Sequence, residues 1–190
     1  MVKRIADITI SLIALILLWP LFLIIGICIC LDSPGPIFFL QERVGKDWKP
    51  FQIIKFRTMA QNAEAQGPRL SNELDERITR IGKYLRRYRL DELPQFVNIL
   101  KGDMSLVGPR PERSYFIEQL APLTTDFPKL LKVKPGLTSW GQVKYGYASS
   151  LEQIAERMQY DLYYIEHYSL SFDLKVLLHT IRIVLSGKGV

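Results

Sequence analysis

Charged residues are missing from positions 8–31, and positions 12–31 are apolar apart from the chemical breaks at Pro20 and Gly26. A stretch of about 20 apolar residues is long enough to cross a bilayer as a helix. Lys3 and Arg4 stand before it; Arg43, Lys46, Lys49, Lys55 and Arg57 follow it. A secretory leader shares the basic start, but no small-x-small cleavage site follows and the run exceeds the usual leader core. Pro20 lies mid-run. It has no N–H to donate, and its ring collides with the carbonyl four residues back, which predicts a kink. Two paths fit: a kinked span, or a re-entrant hairpin that enters and leaves through one face. Cations on both flanks favour the hairpin, because positive residues stay on the cytoplasmic side. The residues alone leave both paths open.

Beyond the run the period changes. Asp32-Ser33-Pro34-Gly35-Pro36 is a turn-rich exit. Ile37-Phe38-Phe39-Leu40 and Phe51-Gln52-Ile53-Ile54-Lys55-Phe56 predict two short strands, joined through residues 45–50 as a β-hairpin. Residues 60–76 are polar and predict a loop. Ile78, Ile81, Leu85 and Tyr88 recur at helical spacing among Arg77, Arg80, Lys83, Arg86, Arg87 and Arg89. That predicts a basic amphipathic helix of about 12 residues, of a kind that can lie on an anionic bilayer. A further helix is expected over 92–101, stopped by Gly102, and then a loop opening near Leu106. Leu151, Ile154, Met158, Leu162 and Ile165 mark another helix, and residues 172–185 the last. The expected fold class is α+β and mostly helical. Residues 1–32 form the membrane segment, and 33–190 complete one structural unit with it.

Composition adds a sign to this picture. Hydrophobic residues make up 48% and charged residues 23%, but the net charge is +6 and the pI near 9.3. The partner should be anionic: nucleic acid, acidic lipid or a phosphorylated substrate. The apolar N-terminal segment argues against nucleic acid and toward lipid and phosphate. Cys28 and Cys30 lie inside the apolar run with too few companions for zinc and too short a spacing for a disulfide. His167 and His179 have no convincing Ser or Cys partner and are expected in surface or packing roles.

Asp91-Glu92-Leu93-Pro94 is the most informative tetrapeptide. A proline is tolerated only in the first turn of a helix, which puts Asp91 near the N-cap and Glu92 at the helix opening. That is a sufficient structural account of both carboxylates. Their neighbours support a second one: Arg86, Arg87 and Arg89 precede the pair, and Lys101, Arg110 and Arg113 follow. A carboxylate that attacks phosphorus needs cations or helix N–H groups on the phosphoryl oxygens, and often a divalent metal. Downstream, Gly108-Pro109-Arg110-Pro111 holds a guanidinium between two prolines, which suits phosphate binding as well as it suits a plain turn. No Walker loop or dinucleotide fingerprint is present.

In order along the chain, these stretches resemble the monotopic phosphoglycosyl transferases, the bacterial sugar transferase family. The likeness takes in Lys3-Arg4 with Asp7, Pro20, Gly35-Pro36-Ile37-Phe38-Phe39, Gln41-Glu42-Arg43-Val44-Gly45 and Lys55-Phe56-Arg57-Thr58-Met59. It continues through Leu90-Asp91-Glu92-Leu93-Pro94-Gln95, the run 100–111, and Pro135-Gly136-Leu137-Thr138-Ser139-Trp140-Gly141-Gln142-Val143. The resemblance implies a re-entrant helix broken at Pro20 and a catalytic domain facing the cytoplasm from the bacterial inner membrane. It implies that Asp91 attacks the β-phosphate of a UDP-sugar, releasing UMP, and that undecaprenyl phosphate then takes the sugar phosphate from the aspartyl intermediate. Glu92 completes the dyad, Mg2+ is required and would sit at Asp91 and Glu92, and Arg86, Arg110, Lys55 and Arg57 match basic positions. UDP-sugar, undecaprenyl phosphate and membrane lipid are the expected partners, and a homodimer is compatible. One departure stands out. Many members carry Asn-Gly-Arg-Asn where this chain has Lys144-Tyr145-Gly146-Tyr147-Ala148; either Lys144 or another cation substitutes for the missing arginine, or this subgroup handles the donor differently. The Tyr-Gly-Tyr form resembles members that make exopolysaccharide or capsule, so the chain is expected to be a short form or the catalytic part of a longer protein. The competing expectation is a membrane-surface adaptor without catalysis.

Overall fold

The computed structural model describes residues 2–65, 67–72, 75–187 and 189. Its first element is a helix, α1 (Val2–Asp32), assigned without interruption through Pro20. The middle of α1 is bare: Leu12, Ile13, Ile16, Leu17, Trp19, Leu23 and Ile24 are all exposed. A helix whose outward side chains are apolar needs an apolar medium around it, and α1 is long and apolar enough to cross a membrane.

The two ends of α1 are not bare. Asp7 is buried, and its carboxylate accepts from Ser105 Oγ at 2.8 Å and from the Leu106 N–H at 3.0 Å. Arg4 donates to the carbonyls of Ile99 and Leu100, and Lys3 pairs with Asp173 at 2.6 Å. At the far end Ile25 and Ile29 are buried with Phe56 and Leu85, and the Asp32 carboxylate accepts from the Ile81 N–H at 3.0 Å. Both ends are thus held by the protein that follows the helix.

The expected hairpin is present as β1 (Phe38–Val44) and β2 (Pro50–Phe56), antiparallel, with Phe38 opposite Phe56 and Phe39 opposite Lys55. It runs further than the hydrophobic pattern indicates. Val44 N–H bonds the Glu112 carbonyl and Gly45 N–H bonds that of Lys49, so tertiary contacts extend the ladder past Leu40. Of the expected loop 60–76, residues 66, 73 and 74 lie outside the described residues; the described part is turn and irregular backbone.

The basic helix, α2 (Arg80–Arg87), is shorter than its pattern. Ile78 is drawn into a bridge with Met59, and Thr79 caps the helix by accepting from the Gly82 N–H at 3.0 Å. Gly82 sits so close to the Thr58 carbonyl that a Cβ there would be 2.1 Å from its oxygen. Leu85 is buried, and Ile81 packs with it against the end of α1, so this apolar stripe faces protein. The helix expected over 92–101 divides in two: a 3-10 helix over Leu90–Gln95, then α3 (Phe96–Lys101). Pro94 has no N–H for an α-helical bond, which favours a tighter first turn. Gly102 ends α3 at φ 97°, the left-handed cap its position predicts.

Residues 105–107 form a strand, β3 (Ser105–Val107), where loop is expected, paired in parallel with β4 (Gly136–Thr138). Between and after them come α4 (Ser114–Leu120), α5 (Phe127–Leu130) and α6 (Trp140–Lys144), all too short to carry a readable period. The last two helices, α7 (Leu151–Glu166) and α8 (Leu170–Leu185), match the expected stripes, each opened by a serine cap. Ile154, Met158 and Leu162 of α7 pack on Leu120, Phe127 and Leu130. Ile53, Ile99, Met104, Val107, Trp140 and Val176 form a second cluster, under the strands. Leu170, Leu174, Leu178, Ile181 and Leu185 leave one side of α8 apolar and exposed. The architecture is mostly helical with two small sheets and one long apolar helix, which is compatible with a monotopic membrane protein.

Candidate active site

Arg89 lies in the left-handed region at φ 52°, an uncommon conformation for a residue with a Cβ. It turns the chain from α2 into the 3-10 helix and occupies the cap position that the pattern assigns near Asp91. Asp91 and Glu92 follow in the first turn, each only 8% exposed. The Glu92 carboxylate is fully engaged at Oε1, which accepts from Lys55 Nζ at 2.8 Å and Arg110 Nη1 at 3.2 Å. Among the described residues nothing pairs with the Asp91 carboxylate, which borders a cavity of about 330 Å³.

The two acids diverge electrostatically. Burial pushes the Asp91 carboxyl up, Glu92 adds to this, and Lys55 opposes it. Burial acts in the same direction on Glu92, but Lys55, Arg110 and Arg89 outweigh it and hold that carboxyl well below the usual range. Burial in turn lowers Lys55, with Glu92 opposing. One carboxylate is therefore fixed as an anion by its partners, while its neighbour is left desolvated and unpaired.

Among the described residues, ten cationic side chains and four carboxylates line the cavity, a balance that calls for an anionic guest. Lys55, Arg86 and Arg110 stand together on its wall, as expected. Among the described residues the partners of Arg86 are neutral, Thr58 Oγ1 at 2.9 Å and Ser71 Oγ at 2.7 Å. Arg57 also borders the cavity, but its guanidinium is spent. It donates to the carbonyls of Pro36, Pro34 and Ser33 at 2.6, 2.9 and 2.8 Å and to Ser33 Oγ at 2.7 Å. This corrects the expectation of phosphate binding by Arg57: the residue ties down the exit of α1, where carbonyls gather at a helix C-terminus. Lys144 is not brought to the cavity either. It is exposed, with its ammonium 4.9 Å above the Trp140 ring. Tyr147 borders the cavity instead, its hydroxyl donating to the Ser71 carbonyl at 2.6 Å.

Several site residues escape a linear reading. Glu112 accepts from Arg157 at 2.6 Å and from Arg43 at 3.4 Å, forming a second buried ion cluster behind Arg110. Asp161 accepts from the Gly141 N–H at 2.7 Å and from the Arg110 N–H at 3.4 Å, while burial pushes its carboxyl up to about 6. It thereby steadies the backbone that presents Arg110. Arg157 and Asp161 fall at helical spacing on the side of α7 that carries Ile154 and Met158, the one signal that could have found them. Gln142 lines the cavity with its Oε1 buried and without a hydrogen-bond partner.

A resident metal cage is not built here: among the described residues no group of three His, Cys, Asp or Glu side chains is placed to hold an ion. Magnesium, however, usually takes one or two carboxylates and completes its shell with substrate phosphates and water. The unpaired Asp91 beside Glu92 fits that substrate-completed arrangement.

Residues 1–187 match the sequence model of a family described as bacterial sugar transferase. Among similar proteins is a UDP-N-acetylgalactosamine-undecaprenyl-phosphate N-acetylgalactosaminephosphotransferase of Aeromonas hydrophila, 45% identical over 99% of this chain and 44% of the relative. A UDP-glucose:undecaprenyl-phosphate glucose-1-phosphate transferase of Escherichia coli is 39% identical over 95% of this chain and 39% of its own length. One of the same name from Caulobacter vibrioides is 37% identical over 97% of this chain and 70% of its own length. The chain spans less than half the length of the first two.

Arg57→Ala removes a buried donor from several carbonyls at once and is expected to cost about 3 kcal/mol of stability. The measurement is the thermal midpoint of the detergent-extracted protein. Arg57→Lys should recover little of the loss, because one ammonium cannot reach all these acceptors; near-complete recovery would contradict the structural role.

Proposed function

The chain belongs to the bacterial sugar transferase family, and from that premise we propose that it moves a sugar 1-phosphate from a UDP-sugar to undecaprenyl phosphate. The observation that carries the reading is the asymmetry of the acidic pair: Glu92 is locked between Lys55 and Arg110, and Asp91 is unpaired on a cation-lined wall. In the first step an Asp91 carboxylate oxygen bonds to the β-phosphorus, the bond from that phosphorus to the bridging oxygen breaks, and UMP leaves with the electron pair. In the second, a phosphate oxygen of the acceptor bonds to the same phosphorus and the Asp91 carboxylate leaves, giving a polyprenyl diphosphate sugar. Arg86 and Arg110, which line the same cavity, would neutralise the phosphoryl oxygens, and Lys55 would hold Glu92 and lower the proton affinity of Asp91. Mg2+ bound through Asp91, Glu92 and the donor phosphates would supply further charge neutralisation. The relatives' names divide between N-acetylgalactosamine and glucose, so the proposal stops at the class of UDP-sugars. The product would open synthesis of an exopolysaccharide, capsule or other glycoconjugate.

The same reading covers the membrane path. We propose that α1 is re-entrant, bent at Pro20, with the catalytic part facing the cytoplasm from the inner membrane. Support comes from the ion pairs and hydrogen bonds that tie both ends of α1 to one body. A helix crossing the bilayer would separate Lys3 from Asp173 and Asp7 from Ser105 by the thickness of the membrane.

Asp91→Asn should abolish UMP release from UDP-sugars, by at least about a thousandfold, with or without acceptor; near-native release would remove Asp91 from the mechanism. The ionised Asp91 is the reactive form, so activity falls as pH drops through its raised pKa. Lys55 opposes that rise, so Lys55→Met should move the acid limb of the pH–rate profile to higher pH by about one unit or more. For topology, a cysteine placed at Val2 in sealed inverted vesicles should react with an impermeant maleimide as readily as one at Lys132. Protection of position 2 alone would refute the re-entrant path.

A further inference from the structure

Between the bare apolar helix and the cation-lined cavity stands a single strand, β1, and its two faces differ. Phe38 stacks on its cross-strand partner Phe56 with centroids 5.4 Å apart, and Phe56 meets Phe22 of α1 edge-on at 5.1 Å. Successive strand residues point to opposite faces, so Phe39 projects from the other one. Its partner there is Lys55, whose ammonium reaches Glu92. Paired residues in an antiparallel ladder hold their Cβ atoms roughly 5 Å apart. One strand therefore links the aromatic seam on α1 to the ion pair at the acidic dyad.

Phe38 and Phe39 both border the cavity, yet they are 46% and 40% exposed, and Leu40 beside them is 59% exposed. The uracil ring of a nucleotide sugar could stack on one of these exposed rings, but its sugar, ribose and diphosphate gain nothing from a run of three exposed apolar side chains. They suit an amphiphile. Its phosphate would meet the cations, its hydrocarbon would lie on the rings, and the remainder would continue along the bare surface of α1 into lipid. Two features select this occupant: the charge complementarity of the cavity, and the series of rings Phe38, Phe56 and Phe22 that joins the exposed lip of β1 to α1.

We infer that Phe39, with Phe38 and Leu40 beside it, carries the isoprene units nearest the phosphate of the polyprenyl acceptor from the cavity to the surface of α1. The inference rests on the transferase reading above and adds to it the place of the lipid chain. The ring of Phe39 would distinguish an acceptor with a tail from its headgroup alone.

The experiment measures the KM for undecaprenyl phosphate and the inhibition constant of methyl phosphate, the headgroup without its chain. Purified protein in mixed micelles is used, with UDP-glucose and UDP-N-acetylgalactosamine as donors. Phe39→Ser should raise the KM about tenfold, the loss expected from removing part of a buried ring contact, while the inhibition constant moves less than twofold. Phe39→Leu should restore the KM to within about threefold of wild type. An unchanged KM in Phe39→Ser overturns the inference, and so does a parallel rise of both constants, which would put Phe39 at the headgroup. Loss of sedimentation with phospholipid vesicles at unchanged KM would make the lip a bilayer anchor and equally overturn it. If the wild-type protein forms no UMP from these donors with undecaprenyl phosphate, the transferase reading fails first and separately.

Discussion

Two cations converge on one oxygen of Glu92, and most of the candidate site follows from the need to keep that cluster intact. A carboxylate at 8% exposure is costly unless it is paired and hydrogen-bonded, and removing either partner would strand charge in a poorly solvated place. Lys55 comes from the hairpin and Arg110 from the segment after β3, so the shared oxygen joins elements far apart in sequence. The strained turn at Arg89 sets the 3-10 helix at the depth where both can arrive. Asp161 holds the Arg110 backbone from behind. With Oε1 of Glu92 held by two cations, the adjacent Asp91 is buried without a partner among the described residues. That asymmetry turns a pair of acids into one fixed anion and one available oxygen donor.

The cations that line the cavity differ in how far their charge is already engaged. Arg57 is consumed by the α1 exit, Arg77 by Asp75, Arg113 by Glu64, and Arg43 and Arg157 by Glu112. Among the described residues Arg86 is bound to hydroxyls, which an incoming phosphoryl oxygen can displace at small cost. A net positive charge of +6 on the chain says nothing about this division. Only the partners of each guanidinium distinguish structural charge from charge free to bind.

The long helix is held by the same logic of buried polar pairing. Asp7 satisfies the Leu106 N–H and the Ser105 hydroxyl, and Lys3 meets Asp173, whose other oxygen accepts from the Tyr164 hydroxyl. At the opposite end Arg57 gathers the carbonyls of residues 33–36. The apolar middle exposes side chains from Leu12 to Ile24, which fits a membrane anchor. Because β1 begins directly after this exit, the cavity opens next to the bare helix and not on the far side of the molecule. The proposed transfer needs this placement, since its donor is soluble and its acceptor is held in the membrane.

The apolar run, the hairpin, the stripe of α7 and the glycine stop after α3 were legible in the sequence, because each depends on local periodicity or on the conformational limits of one residue. The Asp91-Glu92 pair and its cationic company could also be named from order along the chain, together with the family they resemble. The extension of β1, the strand at β3 and the division of the helix after Arg89 could not, since each is imposed by a partner remote in sequence or by backbone strain. The fate of individual charges was equally invisible: Arg57 and Lys144 carry the same formal charge as Arg86 and Arg110, yet one is spent on backbone carbonyls and the other lies on Trp140 outside the cavity. Sequence alone determined which chemistry this protein has to offer, a carboxylate pair among cations beside an apolar helix. Tertiary structure decided which carboxylate is free and which cations are left for a ligand, because burial and pairing are properties of three-dimensional neighbours and not of residue type.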